Sequence, residues 1–263
     1  MTKVFFTKMS GAGNDFIMLD NRSEQIQLSQ AHIAKWCKRG TGIGADGLIL
    51  LEKSDGYDFA MRYYNADGKL GSMCGNGGRC AVRFAFLSGI TKSHFLFEAN
   101  GARYDAEILD DGRVKLKMQP PKDFRDEFQV EGFKSFYIDT GSPHAVVYVN
   151  GLNDFDVFHV GRAIRHNATH FPAGANVNFI EPMSSDTLRI RTFERGVEAE
   201  TLACGTGCVA AALVGYKTGR IRSTHVKLVV QSGDTIDVEF DDAMQDVFLI
   251  GSADVVFRGE IDL

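Results

Sequence analysis

Short apolar or alternating runs, each cut off by a glycine, a proline or an acidic turn, dominate the chain and predict a protein of many strands. In the first half the strands fall at residues 3–6, 16–20, 47–52, 58–65, 95–99, 102–108 and 114–118, rich in β-branched and aromatic side chains. In the second half they fall at 134–139, 145–149, 176–181, 187–194, 227–231, 235–240 and 246–251. Helical spacing is rarer. QAHIAKWCKRG, following Ser29, has an N-cap and a glycine stop at Gly40. Two longer apolar runs begin after Cys74 and Cys204 and end near Gly89 and Gly219. Each half therefore reads as strands around one long helix. Pro120-Pro121 and the charges after them make QPPKDFRDEF the expected linker.

The two halves also resemble one another. MCGNGGRCAVRFAF and ACGTGCVAAALVGY both place a cysteine just before a helix, and Cys204 lies 130 positions after Cys74. At the same offset Gly44-Ala45-Asp46 matches Gly174-Ala175-Asn176, and Tyr63-Tyr64-Asn65 matches Phe193-Glu194-Arg195. With one residue of drift, FFTKMSGAGNDFIML from Phe5 matches FYIDTGSPHAVVYV from Phe136. So long a repeat is a duplicated domain rather than a stacking unit. The length of 263 residues fits two domains at roughly 150 residues each. The boundaries expected are 1–118 plus 252–263 for the first domain and 119–251 for the second.

Composition changes the picture mainly by exclusion. With 44% hydrophobic and 24% charged residues the chain is ordinary for a soluble globular protein, and no apolar run reaches the ~20 residues that span a bilayer. MTKVFFTKMSGAGNDF reads as a first strand rather than a signal peptide, so a cytoplasmic location is expected. A net charge of −5 without a basic block argues against nucleic acid, which leaves small molecules as the partner class. Five cysteines (Cys37, Cys74, Cys80, Cys204, Cys208) with no CxxC pair fit neither a disulfide framework nor a zinc ribbon. Cys37, Cys80 and Cys208 read as small buried hydrophobes.

Cys74 and Cys204 differ from these by their position. At a helix N-terminus the unpaired N–H groups and the helix dipole favour negative charge, which lowers a thiol pKa and attracts a carboxylate. One such thiol would also suit a peroxidatic, phosphatase or protease nucleophile. Two, brought to a common cleft by duplicated halves, suit stereoinversion: one thiolate removes a Cα proton and the opposing thiol delivers one to the other face. The backbone N–H groups of Gly75-Asn76 and Gly205-Thr206 would hold the α-carboxylate as negative charge builds up.

The motifs KMSGAGNDFIMLDNR from Lys8, GIGADGLI from Gly42, NADG at Asn65, CGNGGRC at Cys74, GSPHAVV from Gly141, NVNF at Asn176, ERG at Glu194 and ACGTG at Ala203 resemble, in order and over nearly the full length, those of the diaminopimelate epimerases. The resemblance implies an α/β (α+β) fold of two pseudo-symmetric domains. Each would be a mainly antiparallel strand barrel around a central helix, with the active site in the cleft between them and a final strand, 253–263, returning to the first domain. It implies cofactor-independent and metal-independent conversion of LL-2,6-diaminopimelate to the meso form, on the route to lysine and peptidoglycan, by a homodimer. Cys74 and Cys204 would be the catalytic pair, Cys74 deprotonating the LL form and Cys204 the meso form.

The same resemblance assigns the remaining site residues. Asn14 would contact substrate at the reacting end. Asn65, Asn176 and Arg195 would hold the distal centre, Arg195 by forked pairing with its carboxylate. Glu194 would bind the reactive ammonium, and Glu194 or His144 would help to move the thiol proton; a histidine after Ser142-Pro143 also fits a turn cap. Two positions depart from the family pattern. Ser142 stands where many members have Asn, and Gly47 where Gln can occur. Racemases of histidine or epimerases of proline derivatives are the nearest alternative enzymes, and an amino-acid-binding protein without turnover is the alternative outside catalysis.

Overall fold

The computed structural model describes residues 3–71 and 73–263; Met1, Thr2 and Ser72, which belong to the expected first domain, lie outside the described residues. The chain divides into two compact units, Met1–Leu116 with Gly251–Leu263, and Lys117–Ile250.

In the first unit the strands are β1 (Lys3–Gly11), β2 (Asn14–Asp20), β3 (Gly47–Glu52), β4 (Phe59–Asn65), β5 (His94–Ala99), β6 (Ala102–Ile108) and β7 (Val114–Met118). The helices are α1 (Gln30–Cys37) and α2 (Gly75–Leu87). The N-cap of α1 is Ser29, whose hydroxyl accepts from the His32 N–H at 3.2 Å. Antiparallel pairings join β1 to β2, β3 to β4, β5 to β6 and β6 to β7, while β2–β3 and β4–β5 run parallel. The last strand of the chain, β17 (Asp254–Asp262), lies antiparallel on the free side of β1, from Lys3↔Asp262 to Ser10↔Asp254.

The second unit repeats this plan. Its strands are β8 (Lys122–Val130), β9 (Phe133–Asp139), β10 (Pro143–Tyr148), β11 (Asn176–Pro182), β12 (Thr187–Glu194), β13 (Ala199–Thr201), β14 (His225–Val229), β15 (Thr235–Phe240) and β16 (Val247–Gly251). Its helices are α3 (Val157–Arg165) and α4 (Gly205–Lys217). The parallel pairs recur at matching places, β10–β11 and β12–β14, among antiparallel neighbours. Strand β8 lies antiparallel on β9 as β17 lies on β1. The repeated glycines Gly44 and Gly174 both take left-handed φ, +78° and +69°.

Each unit is thus a sheet wrapped around one helix. Helix α2 packs against β1, β2, β3, β4 and β6, and α4 against β9, β10, β11, β12, β14 and β15. Being enclosed on all sides, α4 is apolar all round, with Cys208 through Val214 unexposed. This is the mixed α/β class, mainly antiparallel, that the family resemblance implies.

Two expectations need correction. QPPKDFRDEF is no open linker, since most of it forms β8, an edge strand whose register on β9 slips twice, between Lys122 and Arg125 and between Arg125 and Phe128. An edge strand needs no apolar alternation and is often charged, so its composition resembles that of a loop. Helix α3 also lies outside the expected elements. Asp156 caps it by accepting from the His159 N–H at 3.0 Å, and its buried residues Val157, Gly161 and Ile164 recur at helical spacing over only nine residues.

Candidate active site

In the first unit the site is built at the start of α2. The β1–β2 hairpin closes through Ala12 and Gly13, both at positive φ (57° and 89°), the twist a two-residue hairpin requires. That turn delivers Asn14 to the helix end. Cys74 is the N-cap of α2, extended at φ −111°, ψ 123° and half-buried, and its thiol donates to Asn14 Oδ1 at 3.5 Å. The buried Asn76 amide approaches the same oxygen at 3.4 Å. Gly75 is the first, buried residue of the helix.

Asn14 is oriented by charge. Its Nδ2 donates to Asp46 Oδ2 at 2.7 Å, and a carboxylate can only accept, so the amide oxygen must face Cys74. Asp46 in turn binds Arg39 at 2.8 Å, Arg39 binds Asp15 at 2.7 Å, and Asp15 binds the buried Lys8 at 2.8 Å. Burial would raise the Asp15 carboxyl, but its bonds to Arg39 and Lys8 hold it below the usual carboxylate range. Asn65 is placed differently. It is exposed at the end of β4, its N–H closing a turn to the Lys69 carbonyl at 2.9 Å, and among the described residues no hydrogen bond joins its side chain to Asn14.

In the second unit Cys204 is the N-cap of α4, 8% exposed against the half-buried Cys74. Its sulfur lies 3.6 Å from Thr206 Oγ1. Thr206 Oγ1 is 3.0 Å from His144 Nε2 and 3.3 Å from Ser142 Oγ, and Ser142 Oγ is 2.9 Å from the same His144 nitrogen. Asn176 donates to Ser142 Oγ at 3.3 Å and accepts the Arg195 N–H at 2.8 Å, linking β11 to the turn after β12. Among the described residues Arg195 makes no ion pair; its Nη1 donates only to the carbonyls of Ala173 and Gly174, at 3.3 and 3.4 Å. A forked cation held by its edge can accept an incoming carboxylate.

Electrostatics here departs from the helix-terminus expectation of a lowered thiol pKa. Burial, followed by the negative Glu194, pushes the Cys204 thiol well above its ordinary 9.0, and the opposing bonds from Thr206 and the Gly207 N–H do not reverse it. Cys204 therefore holds its proton. His144 moves the other way. Burial and then the nearby Arg195 charge lower it from 6.5 to about 3, so the ring is neutral.

Within each unit, then, the structure brings together most of the expected residues: Asn14, Cys74, Gly75 and Asn76 in one, and His144, Asn176, Cys204, Gly205 and Thr206, with Glu194 and Arg195 acting through charge, in the other. Asn65 stands apart. Residues outside the expected set also take part, namely Asp46, Arg39, Asp15 and Lys8 behind Asn14, and Asn178 behind His144. Among the described residues no three His, Cys, Asp or Glu side chains converge to hold a metal, and no helix is long and apolar enough to cross a membrane.

The diaminopimelate epimerase family model matches residues 6–123 and 136–256. The chain belongs to the diaminopimelate epimerase family. Across 97% of its length it is 54% identical to all of a diaminopimelate epimerase from Chlorobaculum tepidum, over 257 residues. It is 41% identical to one from Aquifex aeolicus over 270 residues, 97% of each chain. Its fold matches the solved structure of a predicted epimerase from Pseudomonas aeruginosa with a TM-score of 0.76 at 13% identity, covering 98% of this chain and 99% of that one.

Both departures of this diaminopimelate epimerase family member from the motif pattern have a local structural setting. Ser142 is the hydroxyl that joins Asn176, His144 and Thr206. At Gly47 a Cβ would lie 2.5 Å from the Tyr64 carbonyl and closer still to the Tyr63 ring, which occupies the space of a longer side chain.

Proposed function

We propose that the protein interconverts LL- and meso-2,6-diaminopimelate without a cofactor, each unit contributing one thiol. In the LL-to-meso direction the Cys74 thiolate takes the Cα proton and the Cys204 thiol returns one to the opposite face; in reverse the roles exchange. The observation that carries this reading is the repeat of a cysteine N-cap on the central helix of each unit, in a chain of this family. The retained proton on Cys204 supports its acid role in the first direction.

The N–H groups of Gly75-Asn76 and Gly205-Thr206 stabilise the charge that builds on the reacting carboxylate, with Asn14 beside it. Glu194 receives the reactive ammonium, Arg195 the distal carboxylate, and Asn65 and Asn176 the distal amino acid centre. His144 acts through Thr206 on the Cys204 proton. The product would feed lysine and peptidoglycan synthesis in the cytoplasm. A homodimer is part of the proposal, supported by exposed Phe5, Val256 and Phe257 on the neighbouring strands β1 and β17.

Incubation with LL-diaminopimelate in heavy water, followed by mass spectrometry and chiral separation, tests the function. Deuterium at one Cα with appearance of the meso isomer is expected, and Cys74→Ala and Cys204→Ala should each abolish it while leaving the circular dichroism spectrum intact. Exchange with proline or histidine but not diaminopimelate would overturn the substrate, and near-normal turnover in either variant would overturn the two-thiol mechanism.

A further inference from the structure

Asn178 has no part in the expected set of site residues, yet its amide is fully committed. It is 0% exposed and follows Asn176 by two positions on β11, so the strand repeat turns both side chains to one face. Its Nδ2 donates to the Ala145 carbonyl at 3.1 Å and lies 3.0 Å from His144 Nδ1, while its Oδ1 accepts from the Thr192 hydroxyl at 3.0 Å. On the far side Oδ1 packs against Gly207 in the first turn of α4, where any Cβ would collide with it and come within 3.2 Å of Cys204 Sγ.

These contacts determine where protons sit. The Ala145 carbonyl can only accept, so the amide group facing it is the NH2, and the same NH2 faces His144 Nδ1. A donor aimed at Nδ1 leaves no room for a proton on that nitrogen, so the neutral ring carries its proton on Nε2. Nε2–H points to the hydroxyls of Ser142 and Thr206, at 2.9 and 3.0 Å. A hydroxyl that accepts from Nε2 keeps its own O–H to give, and Thr206 Oγ1 is the one beside Cys204 Sγ, at 3.6 Å. Donors thus run in one direction, from Asn178 through His144 and the hydroxyls to sulfur.

We infer that Asn178 is a positioning residue for the Cys204 thiol: it holds His144 as the Nε2–H tautomer and so keeps a hydroxyl donor aimed at the sulfur when Cys204 has given up its proton. The catalytic part of this inference rests on the function proposed above; the tautomer does not. In Asn178→Asp a carboxylate oxygen faces Nδ1 and requires a proton there. In the neutral ring Nε2 then becomes an acceptor and draws the Thr206 O–H away from Cys204.

The test uses the full-length protein labelled with 15N-histidine, with the His144 signals assigned by their loss in His144→Gln. Long-range proton–nitrogen spectra are expected to show an unprotonated Nδ1 and a protonated Nε2 across about pH 5 to 8, the range in which an ordinary histidine titrates. Asn178→Asp should protonate Nδ1 and lower kcat for deuterium exchange by about 10²-fold, with KM changed by less than about threefold. A wild-type spectrum with a proton on Nδ1 overturns the inference, even if Asn178→Asp does not fold. So does a folded Asn178→Asp whose ring proton moves without loss of kcat. If wild-type protein turns over no diaminopimelate, the proposed function fails, and the spectrum still decides the tautomer.

Discussion

Replacing Gly47 by Ala separates two opposite expectations. Gly47 lies in the interior of the sheet, paired with Phe16 on one side and Asn65 on the other, and its φ is not among the left-handed glycines. An alanine without steric conflict would therefore stabilise the protein by roughly 0.5–1 kcal/mol, through a less flexible unfolded chain. The structure predicts the reverse. The new Cβ would sit 2.5 Å from the Tyr64 carbonyl oxygen and 3.1 Å from Tyr63 Cζ, with Tyr63 Cε2 nearer. The carbonyl belongs to the strand bonded to β3, and the ring is held edge-on to Phe16 at 5.8 Å. Overpacking of this kind costs about 1–3 kcal/mol, so the net loss should be about 1–2 kcal/mol. Urea unfolding of Gly47→Ala, Tyr63→Leu and the double variant measures the coupling. Shortening Tyr63 removes the ring but not the Tyr64 carbonyl, so relief should be partial, with a favourable coupling of about 1 kcal/mol. A Gly47→Ala protein more stable than wild type would refute the packing argument, as would strict additivity of the pair.

Two pH effects follow from buried groups. His144 is neutral when folded down to about 3 but titrates near 6.5 when unfolded; stability is full above the latter value and falls by up to ~1.4 kcal/mol per pH unit as the solution is acidified between them. His144→Gln should flatten that part of the curve, and a parallel curve would show that the ring is not neutral. Cys80 behaves oppositely, because burial pushes it from 9.0 to about 12; its contribution is full below the unfolded value and is lost as pH rises toward the folded one. Alkaline unfolding of Cys80→Ala should show a slope shallower by up to ~1.4 kcal/mol per pH unit, and an unchanged slope would refute the assignment.

Much of the fold was legible because its signals are local. The strands Gly47–Glu52, Ala102–Ile108, Val114–Met118, Thr187–Glu194 and Thr235–Phe240 are bounded by turns that any reading of the chain would place. Ser29 and the paired cysteine-glycine segments mark helix starts by side-chain type and backbone freedom. What was not legible depends on contacts distant in sequence. Strand β8 is held by a neighbouring hairpin strand rather than by its own pattern. Helix α3 was within reach of local reading, through its Asp156 cap and the i, i+4, i+7 spacing of Val157, Gly161 and Ile164. Asn178 was within reach: in NVNF the alternation of a strand puts both asparagines on one face. Its partners were not, since His144 lies 34 positions earlier and Thr192 14 positions later.

The duplicated scaffold makes the two thiols alike in backbone and unlike in surroundings. Both are extended N-caps of thirteen-residue helices. Cys74 is half-buried and answers to Asn14, which is itself fixed by the partly exposed charges of Asp46 and Arg39. Cys204 is buried and its hydrogen-bonded support comes from neutral groups, Thr206, Ser142 and His144, with Asn178 behind them, while Glu194 acts on it through charge. The divergence begins at matching positions: Asp46 in the first unit orients Asn14 by charge, and Asn176 in the second orients Ser142 by an amide. A charge near water is screened by salt, whereas a buried neutral network is not. Rising ionic strength should therefore loosen the hold on Asn14 while leaving the tautomer of His144 unchanged. The same backbone thus presents one thiol whose support is electrostatic and one whose support is geometric. In the proposed reaction each thiol acts as base in one direction and as acid in the other, so the difference in surroundings bears on how each is held, not on which role it can take.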